Sequence, residues 1–122
     1  MPKLQVYEAE RGLIDYTLMY SPKWSVAAKR NTPVLESDTS VVYFYVKNPS
    51  GTAVVSLSDA NSAEIEWIDT ALGKIRVKLG TGTEGKVNDD NDYELRIKFT
   101  DGGFVTADAG KLDILESVVD TP

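Results

Sequence analysis

Residues 88–92, with the sequence NDDND, form the densest group of oxygen ligands in the chain. Asp89, Asp90 and Asp92 carry carboxylate oxygens, and Ca²⁺ takes about six to eight such hard ligands. The run lacks the central glycine and the distal glutamate of an EF-hand loop. Asn and Asp are also common in turns, where their side chains bond the nearby backbone. The sequence therefore favours a solvated turn before a strand, with a cation site at these three residues as the alternative.

Acid–base chemistry has few candidates. Glu64 and Glu66 are two residues apart, so on a strand they share a face, and neighbouring Lys and Arg side chains favour ion pairing. Glycosidase chemistry needs two carboxyls across a cleft, one of them with a raised pKa. The chain has no Cys and no His, which excludes thiol nucleophiles, Cys/His zinc sites and histidine bases. We therefore expect no enzymatic activity, no catalytic residue and no cofactor.

Two groups stand out among the aromatic side chains. Alternation places four of them in a core: Phe44, Trp67, Tyr93 and Phe99. Tyr43 and Tyr45 lie on the strand face opposite Phe44. Surface aromatics can fill a protein interface or stack on a sugar ring. Tyr43 and Tyr45 are therefore predicted interface residues, with ordinary partial exposure and a ligand-stacking platform as the alternatives.

Alternation with a period of two predicts the strands that position these residues. It is clearest in KIRVKLG, where Ile75, Val77 and Leu79 point one way and basic residues the other. The segment VVYFYVKN is apolar on both faces, which predicts a central strand or one covered by a partner. Turn residues stand between the runs, as in residues 48–51 (NPSG) and 101–103 (DGG).

These elements predict an all-β chain. No helical apolar spacing is sustained, and the short strands are separated by turn signals about every 8–12 residues, which is typical of a β-sandwich. We expect an antiparallel immunoglobulin-like β-sandwich of about 7–8 strands. Residues 1–122 would form a single domain, with residues 1–10 and 119–122 as flexible or arm-like ends.

Charge and hydropathy limit the partners. The net charge is −6, from 13 basic and 19 acidic residues, and the acidic excess lies in the last third. Duplex nucleic acid is not expected, because phosphate binding needs a clustered basic surface. No apolar run reaches the roughly 18 residues of a membrane span, and no signal peptide is recognisable at the N-terminus. Together with the absence of Cys, this predicts synthesis in a reducing cytoplasm.

Residues 32–58, TPVLESDTSVVYFYVKNPSGTAVVSLS, resemble a recurrent segment of tailed-phage virion proteins. That segment has a TP linker, an alternating strand, a (K/R)-(N/D)-P-x-G turn, T-x-V and a Ser-rich strand end. It belongs to the immunoglobulin-like domains of the baseplate upper protein family and related phage virion proteins. The resemblance covers residues 10–118 and includes Arg11-Gly12, IEWIDTALGKIRVKLG and NDYELRIKFTDGGFVTADAGKLDILESV. The linker departs from the pattern, with LESDTS in place of DLTG.

The resemblance implies a non-enzymatic structural component of a tailed bacteriophage virion. Such a protein would be made in the host cytoplasm and assemble into the tail or baseplate through a sandwich face or an edge strand. Its partners would be other phage structural proteins and further copies of itself, with Tyr43 and Tyr45 as contact residues. A capsid decoration protein is one alternative. A carbohydrate-binding β-sandwich module is an alternative from another class.

Overall fold

The computed structural model describes residues 4–7, 12–24, 31–83 and 86–116. Within these ranges the chain forms eight strands: β1 (Leu4–Tyr7), β2 (Leu13–Thr17), β3 (Thr39–Lys47), β4 (Ala53–Ser58), β5 (Ile65–Asp69), β6 (Lys74–Lys78), β7 (Asn88–Phe99) and β8 (Phe104–Leu115). Short 3₁₀ turns occupy Pro22–Trp24, Glu36–Asp38 and Gly80–Thr83. No helix in the described ranges is long and apolar enough to cross a membrane.

The strands form two sheets, one of five strands in the order β1-β8-β7-β3-β4 and one of three in the order β2-β6-β5. Immunoglobulin domains place their second, fourth and fifth strands in one sheet and the third, sixth and seventh in the other. Here β2, β5 and β6 face β3, β7 and β8 in that same division, and β4 extends the larger sheet. The predicted immunoglobulin-like β-sandwich of about 7–8 strands is therefore confirmed.

The N-terminal segment differs from expectation. Residues 1–10 were expected to be flexible or arm-like, but Leu4–Tyr7 form β1 and pair with residues 112–115 of β8. This pairing is parallel, so the sandwich is not antiparallel throughout. It covers an edge of β8 whose backbone groups would otherwise lack strand partners. The expectation for residues 119–122 lies outside the described residues.

Alternation identifies the core correctly. Val42, Phe44 and Val46 of β3 have no solvent exposure. The same sheet adds Leu95 and Ile97 of β7 and Leu112 and Ile114 of β8, and the facing sheet adds Ile75 and Val77 of β6, followed by Leu79. Of the four aromatics expected in the core, Phe44 and Tyr93 are buried, whereas Trp67 and Phe99 are partly buried against it. Strand β3 is central, as expected, because it pairs with both β4 and β7.

The predicted turn between β3 and β4 is also confirmed. The Asn48 side chain accepts hydrogen bonds from the backbone N–H groups of Ser50 and Thr52, each at 3.0 Å. Gly51 has φ of 86°, a value that favours glycine, and its N–H donates to the Asn48 carbonyl at 2.8 Å. This turn sets the register in which Tyr45 lies opposite Ser56.

Candidate docking face

The outward side of the five-stranded sheet, called the outer face below, carries the predicted interface residues. Paired residues on neighbouring strands point to the same side of a sheet, so the strand register defines its members. They are Val41, Tyr43, Tyr45 and Lys47 of β3, Ser56 and Ser58 of β4, Asp92, Glu94, Arg96 and Lys98 of β7, and Phe104, Thr106, Ala109 and Lys111 of β8. The face is therefore aromatic at its centre and charged along β7.

Tyr43 and Tyr45 form a stacked pair on this face. Their ring centroids are 5.4 Å apart and the rings are inclined by 19°. Burial first, and then the neighbouring Tyr43, raise the pKa of Tyr45 above its usual value. In the strand register Tyr43 lies opposite Arg96 and Tyr45 opposite Glu94. The structure thus brings the two tyrosines together with a charged pair, and their role as contact residues stays a prediction.

Arg96 joins this centre to the aromatic ring of β8. Its guanidinium carbon lies 4.8 Å from the centroid of Phe104, a side chain with 48% exposure. Lys98 approaches the same ring at 5.5 Å. A cation over an aromatic face is attracted by the ring quadrupole. Exposed Phe104 is therefore held under two cations instead of being packed in the core.

Glu94 completes the centre of the outer face. Its Oε1 lies 3.1 Å from Arg96 Nε, although that N–H does not point at the oxygen, so the contact is an ion pair without a hydrogen bond. The same Oε1 accepts a hydrogen bond of 2.9 Å from the Thr106 hydroxyl. Glu94, Arg96 and Phe104 thus form one continuous cluster beside the tyrosines.

An open groove of about 340 Å³ runs along the outer face between β4, β3 and β7. Its lining combines two tyrosines with mostly polar and charged residues: Tyr45, Lys47, Ala53, Ser56, Asp92, Tyr93, Glu94 and Arg96. At its end, Asp92 accepts a hydrogen bond of 2.7 Å from Lys111 Nζ. The groove therefore presents charges of both signs next to an aromatic surface.

Neither the favoured turn nor the alternative cation site is formed at residues 88–92 as the described structure has them. In the described part of the chain, no group of three or more acidic side chains is placed to hold a metal ion. Residues 88–92 also do not form a loop before a strand, because they belong to β7 and interrupt its register between Asn88 and Asn91. Asp90 has φ of 58°, and its N–H donates to Asp113 at 2.8 Å. The bulge thus ties the backbone at Asp90 to Asp113 of β8.

Glu64, which precedes β5, and Glu66 of β5 are both used for structure. Glu66 bonds Lys78 Nζ at 2.8 Å, and this hydrogen bond lowers the pKa of Glu66. Glu64 instead accepts a hydrogen bond of 3.0 Å from the Ser58 backbone N–H. The ion pairing predicted from the sequence is confirmed for Glu66. A lowered pKa is the opposite of what a general acid needs.

Sequence reasoning missed the role of Glu94, Arg96, Lys98 and Phe104 on the outer face. None of these four residues was a candidate site residue in the sequence analysis. The pattern within one strand does not show which side chains of the next strand lie beside it. That information is in the register, which pairs Tyr43 with Arg96 and Lys98 with Phe104.

No protein-family model matches the chain, and no curated protein matches it. Among solved structures, the chain is similar to CopC from Methylosinus trichosporium OB3b, with 9% sequence identity and a TM-score of 0.45. The match covers 98% of this chain and 89% of that chain. The assignment to the immunoglobulin-like sandwiches therefore depends on the strand order and register of this chain itself.

Proposed function

We propose that this chain is a non-enzymatic structural component of a tailed bacteriophage virion, which docks into the tail or baseplate through its outer face. The resemblance of residues 10–118 to immunoglobulin-like phage domains gives the biological setting. The observation that carries the docking face is the stacked pair Tyr43 and Tyr45 beside Arg96 and Phe104. The proposal places the partners, which are other virion proteins, on this side of the sandwich.

The composition of the outer face supports docking on energetic grounds. Tyr and Arg are among the residue types most enriched at binding hot spots, and Tyr buries a large area at a low cost in side-chain entropy. Tyr43 and Tyr45 are already stacked on each other, so little side-chain entropy remains to be lost on binding. A face organised in this way favours binding of a rigid protein surface.

The proposal is tested on purified particles of the phage that carries this gene. Mass spectrometry of separated tails, baseplates and capsids should find the chain in the tail or baseplate fraction. A chain confined to capsids would establish the decoration alternative instead. A particle without the chain would contradict a virion role altogether.

The docking face is tested with a variant series. Tyr43→Ser together with Tyr45→Ser should reduce incorporation into particles at least about tenfold, because hot-spot truncations cost roughly 2 kcal/mol or more. Ile68→Ser is the matched control, since Ile68 is a large apolar residue exposed on the other sheet. Equal incorporation of both variants would exclude the outer face as the docking surface.

The groove favours a second candidate, a carbohydrate-binding module. A sugar ring stacks on an aromatic face and takes hydrogen bonds from nearby polar groups, and the groove places Tyr45 beside Ser56, Asp92 and Glu94. This function predicts glycan binding that is lost in Tyr45→Ser. A glycan array without signal for the wild-type chain would dismiss it.

A further inference from the structure

The charges on the outward side of β7 are arranged in order. Asp92 and Glu94 are followed by Arg96 and Lys98, all pointing outward along one strand. The acidic half is thus followed by a basic half, and the change of sign falls between Glu94 and Arg96. Tyr45 and Tyr43 of β3 pair with Glu94 and Arg96. The point on β3 that lies beside this change of sign is therefore between Tyr45 and Tyr43.

A two-fold axis through this level would make the face complementary to itself. Suppose that the axis lies in the interface plane and runs perpendicular to the strands. Each strand then faces its own copy in the opposite direction, so Asp92 of one copy faces Lys98 of the other and Glu94 faces Arg96. Residue pairs in an isologous interface occur twice, once for each direction. Four opposite-charge contacts therefore arise from one symmetry operation.

We infer that a second copy of this chain occupies the outer face, with the two five-stranded sheets face to face about this two-fold axis. The inference rests on the proposed function in taking the outer face as a docking surface, and it names the partner as the chain itself. Charge complementarity selects this partner. Two acidic residues followed by two basic residues are matched, charge for charge, by the same strand running in the opposite direction.

The strands beside β7 obey the same operation. On β3, Tyr43 of one copy faces Tyr45 of the other, so the stacked pairs meet at the centre. On β8, Phe104 lies level with Lys98 and Lys111 level with Asp92, so that the operation sets Lys111 against the Phe104 ring of the other copy. Small residues face each other elsewhere: Thr106 and Ala109 on β8, and Ser56 and Ser58 on β4. On β3, Lys47 lies level with Asp92 and Val41 level with Lys98, so Lys47 of one copy faces Val41 of the other. No two like charges are therefore brought directly face to face among these residues.

The ion pairs within each copy do not oppose this arrangement. Asp92 and Lys111 have side-chain exposures of 63% and 54%, and Glu94 and Arg96 about 41% and 40%. Exposed ion pairs contribute roughly 0–1 kcal/mol, so exchanging a partner within the copy for one across the interface costs little. Facing sheets pack about 10 Å apart at an angle of roughly 30°, which keeps the central pairs aligned.

The available area predicts a moderate affinity. Five strands about 4.8 Å apart and some seven residues long, at about 3.4 Å per residue, make a face of roughly 600 Å² per copy. Stable interfaces bury about 800 Å² per partner, and transient ones less. The dimer should therefore depend on protein concentration, and also on salt, because salt screens the attraction between the charged residues of the two copies as they approach.

The experiment is sedimentation equilibrium of the full chain over a wide concentration range at low and high salt. Wild type should dimerise, more weakly at high salt. Lys98→Asp and Asp92→Lys should each raise the dimer dissociation constant about tenfold or more, because each places like charges together twice. The combined variant, with Asp92→Lys and Lys98→Asp, restores opposite charges across the axis and should recover most of the affinity.

Lys74→Asp is the matched control, because Lys74 is exposed on the three-stranded sheet. It makes the same charge change as Lys98→Asp and should leave dimerisation unchanged. Circular dichroism of every variant checks that the sandwich is folded. A wild type that is monomeric at all concentrations, or a dimer weakened equally by the control, would overturn the inference.

The two proposals fail separately. If purified particles contain the chain but the wild type is monomeric, the self-docking inference is wrong and the virion role is unaffected. If the chain dimerises through Asp92 and Lys98 but is absent from particles, the virion role is wrong and the self-docking inference stands. A combined charge-swap variant that stays monomeric while both single variants are folded would also contradict the two-fold arrangement.

Discussion

At the scale of single residues, the tightest backbone constraint lies at Gly73, in the turn between β5 and β6. Its φ is 69°, and a Cβ at this position would lie 2.4 Å from the Leu18 carbonyl oxygen and 3.1 Å from that of Val34. The chain approaches this closely because the Leu18 N–H donates to the Gly73 carbonyl at 2.7 Å. Only glycine satisfies both the conformation and the contact.

Gly73→Ala should lower the free energy of unfolding by about 3 kcal/mol or more, because a left-handed conformation costs a non-glycine residue about 1–3 kcal/mol and the steric overlap adds to it. Gly51→Ala is the matched control. Gly51 also has a positive φ, of 86°, but nothing lies within 4 Å of its Cβ position, so about 1 kcal/mol is expected. Urea denaturation measures both, and equal losses would show that the contact at Leu18 is unimportant.

At the scale of elements, β1 completes the edge of the larger sheet. Its inward residues Leu4 and Val6 pack against the core, whereas Gln5 is exposed. The parallel pairing with β8 covers backbone groups of a strand that otherwise forms the sheet edge. The attachment of β1 to the sheet therefore depends on two apolar side chains as well as on its backbone hydrogen bonds with β8.

Val6→Ser should reduce the free energy of unfolding by about 1–2 kcal/mol, since a partly buried Val side chain is lost and a hydroxyl is placed in apolar surroundings. Gln5→Ser changes the neighbouring residue on the outward side of the same strand and should stay within about 0.5 kcal/mol of wild type. Thermal unfolding measures the difference. Equal stability of the two variants would mean that β1 adds little to the core.

At the scale of the whole molecule, a polar contact links the two sheets. Asp108 of β8 accepts hydrogen bonds from Tyr16 of β2, at 2.8 Å, and from Tyr93 of β7, at 3.1 Å. Burial and the Asp108 carboxylate raise the pKa of Tyr16 above its usual range and the pKa of Tyr93 to about 12. The hydroxyls must stay protonated for both bonds to persist.

This linkage predicts a loss of stability at alkaline pH. The unfolded chain releases tyrosine protons near the ordinary pKa of about 10, while the folded chain keeps them, so the free energy of unfolding falls as the pH rises from about 10 to 12. Tyr16→Phe with Tyr93→Phe should lower stability at neutral pH by about 1–2 kcal/mol or more and make the alkaline decline shallower. Tyr7→Phe, which removes an exposed hydroxyl, is the control and should lose stability with rising pH as the wild type does. Denaturant unfolding across this pH range measures the free energy of unfolding of each variant.

Several features of the fold could be predicted because they depend on neighbours along the chain. The side of a strand on which a residue lies is decided by its position relative to residues two places away, so Ile75, Val77 and Leu79 were assigned to the core from the pattern alone. The turn at residues 48–51 was predicted for the same reason, since its hydrogen bonds join residues at most four apart. The sequence by itself thus determined the fold class, the core and the pairing of β3 with β4.

Only the tertiary structure decided which strands lie side by side and in which register. Tyr43 meets Arg96, and Arg96 meets Phe104, through pairings between distant segments. Leu4–Tyr7 became a parallel strand because β8 offered an edge, and Asp113 became buried beside the bulge at Asp90 despite its charge. Strand pairing depends on contacts between remote parts of the chain, and a period-two pattern is compatible with many such pairings. The charge order of β7 was therefore visible in the sequence, but its place at the centre of an aromatic face was decided by the fold.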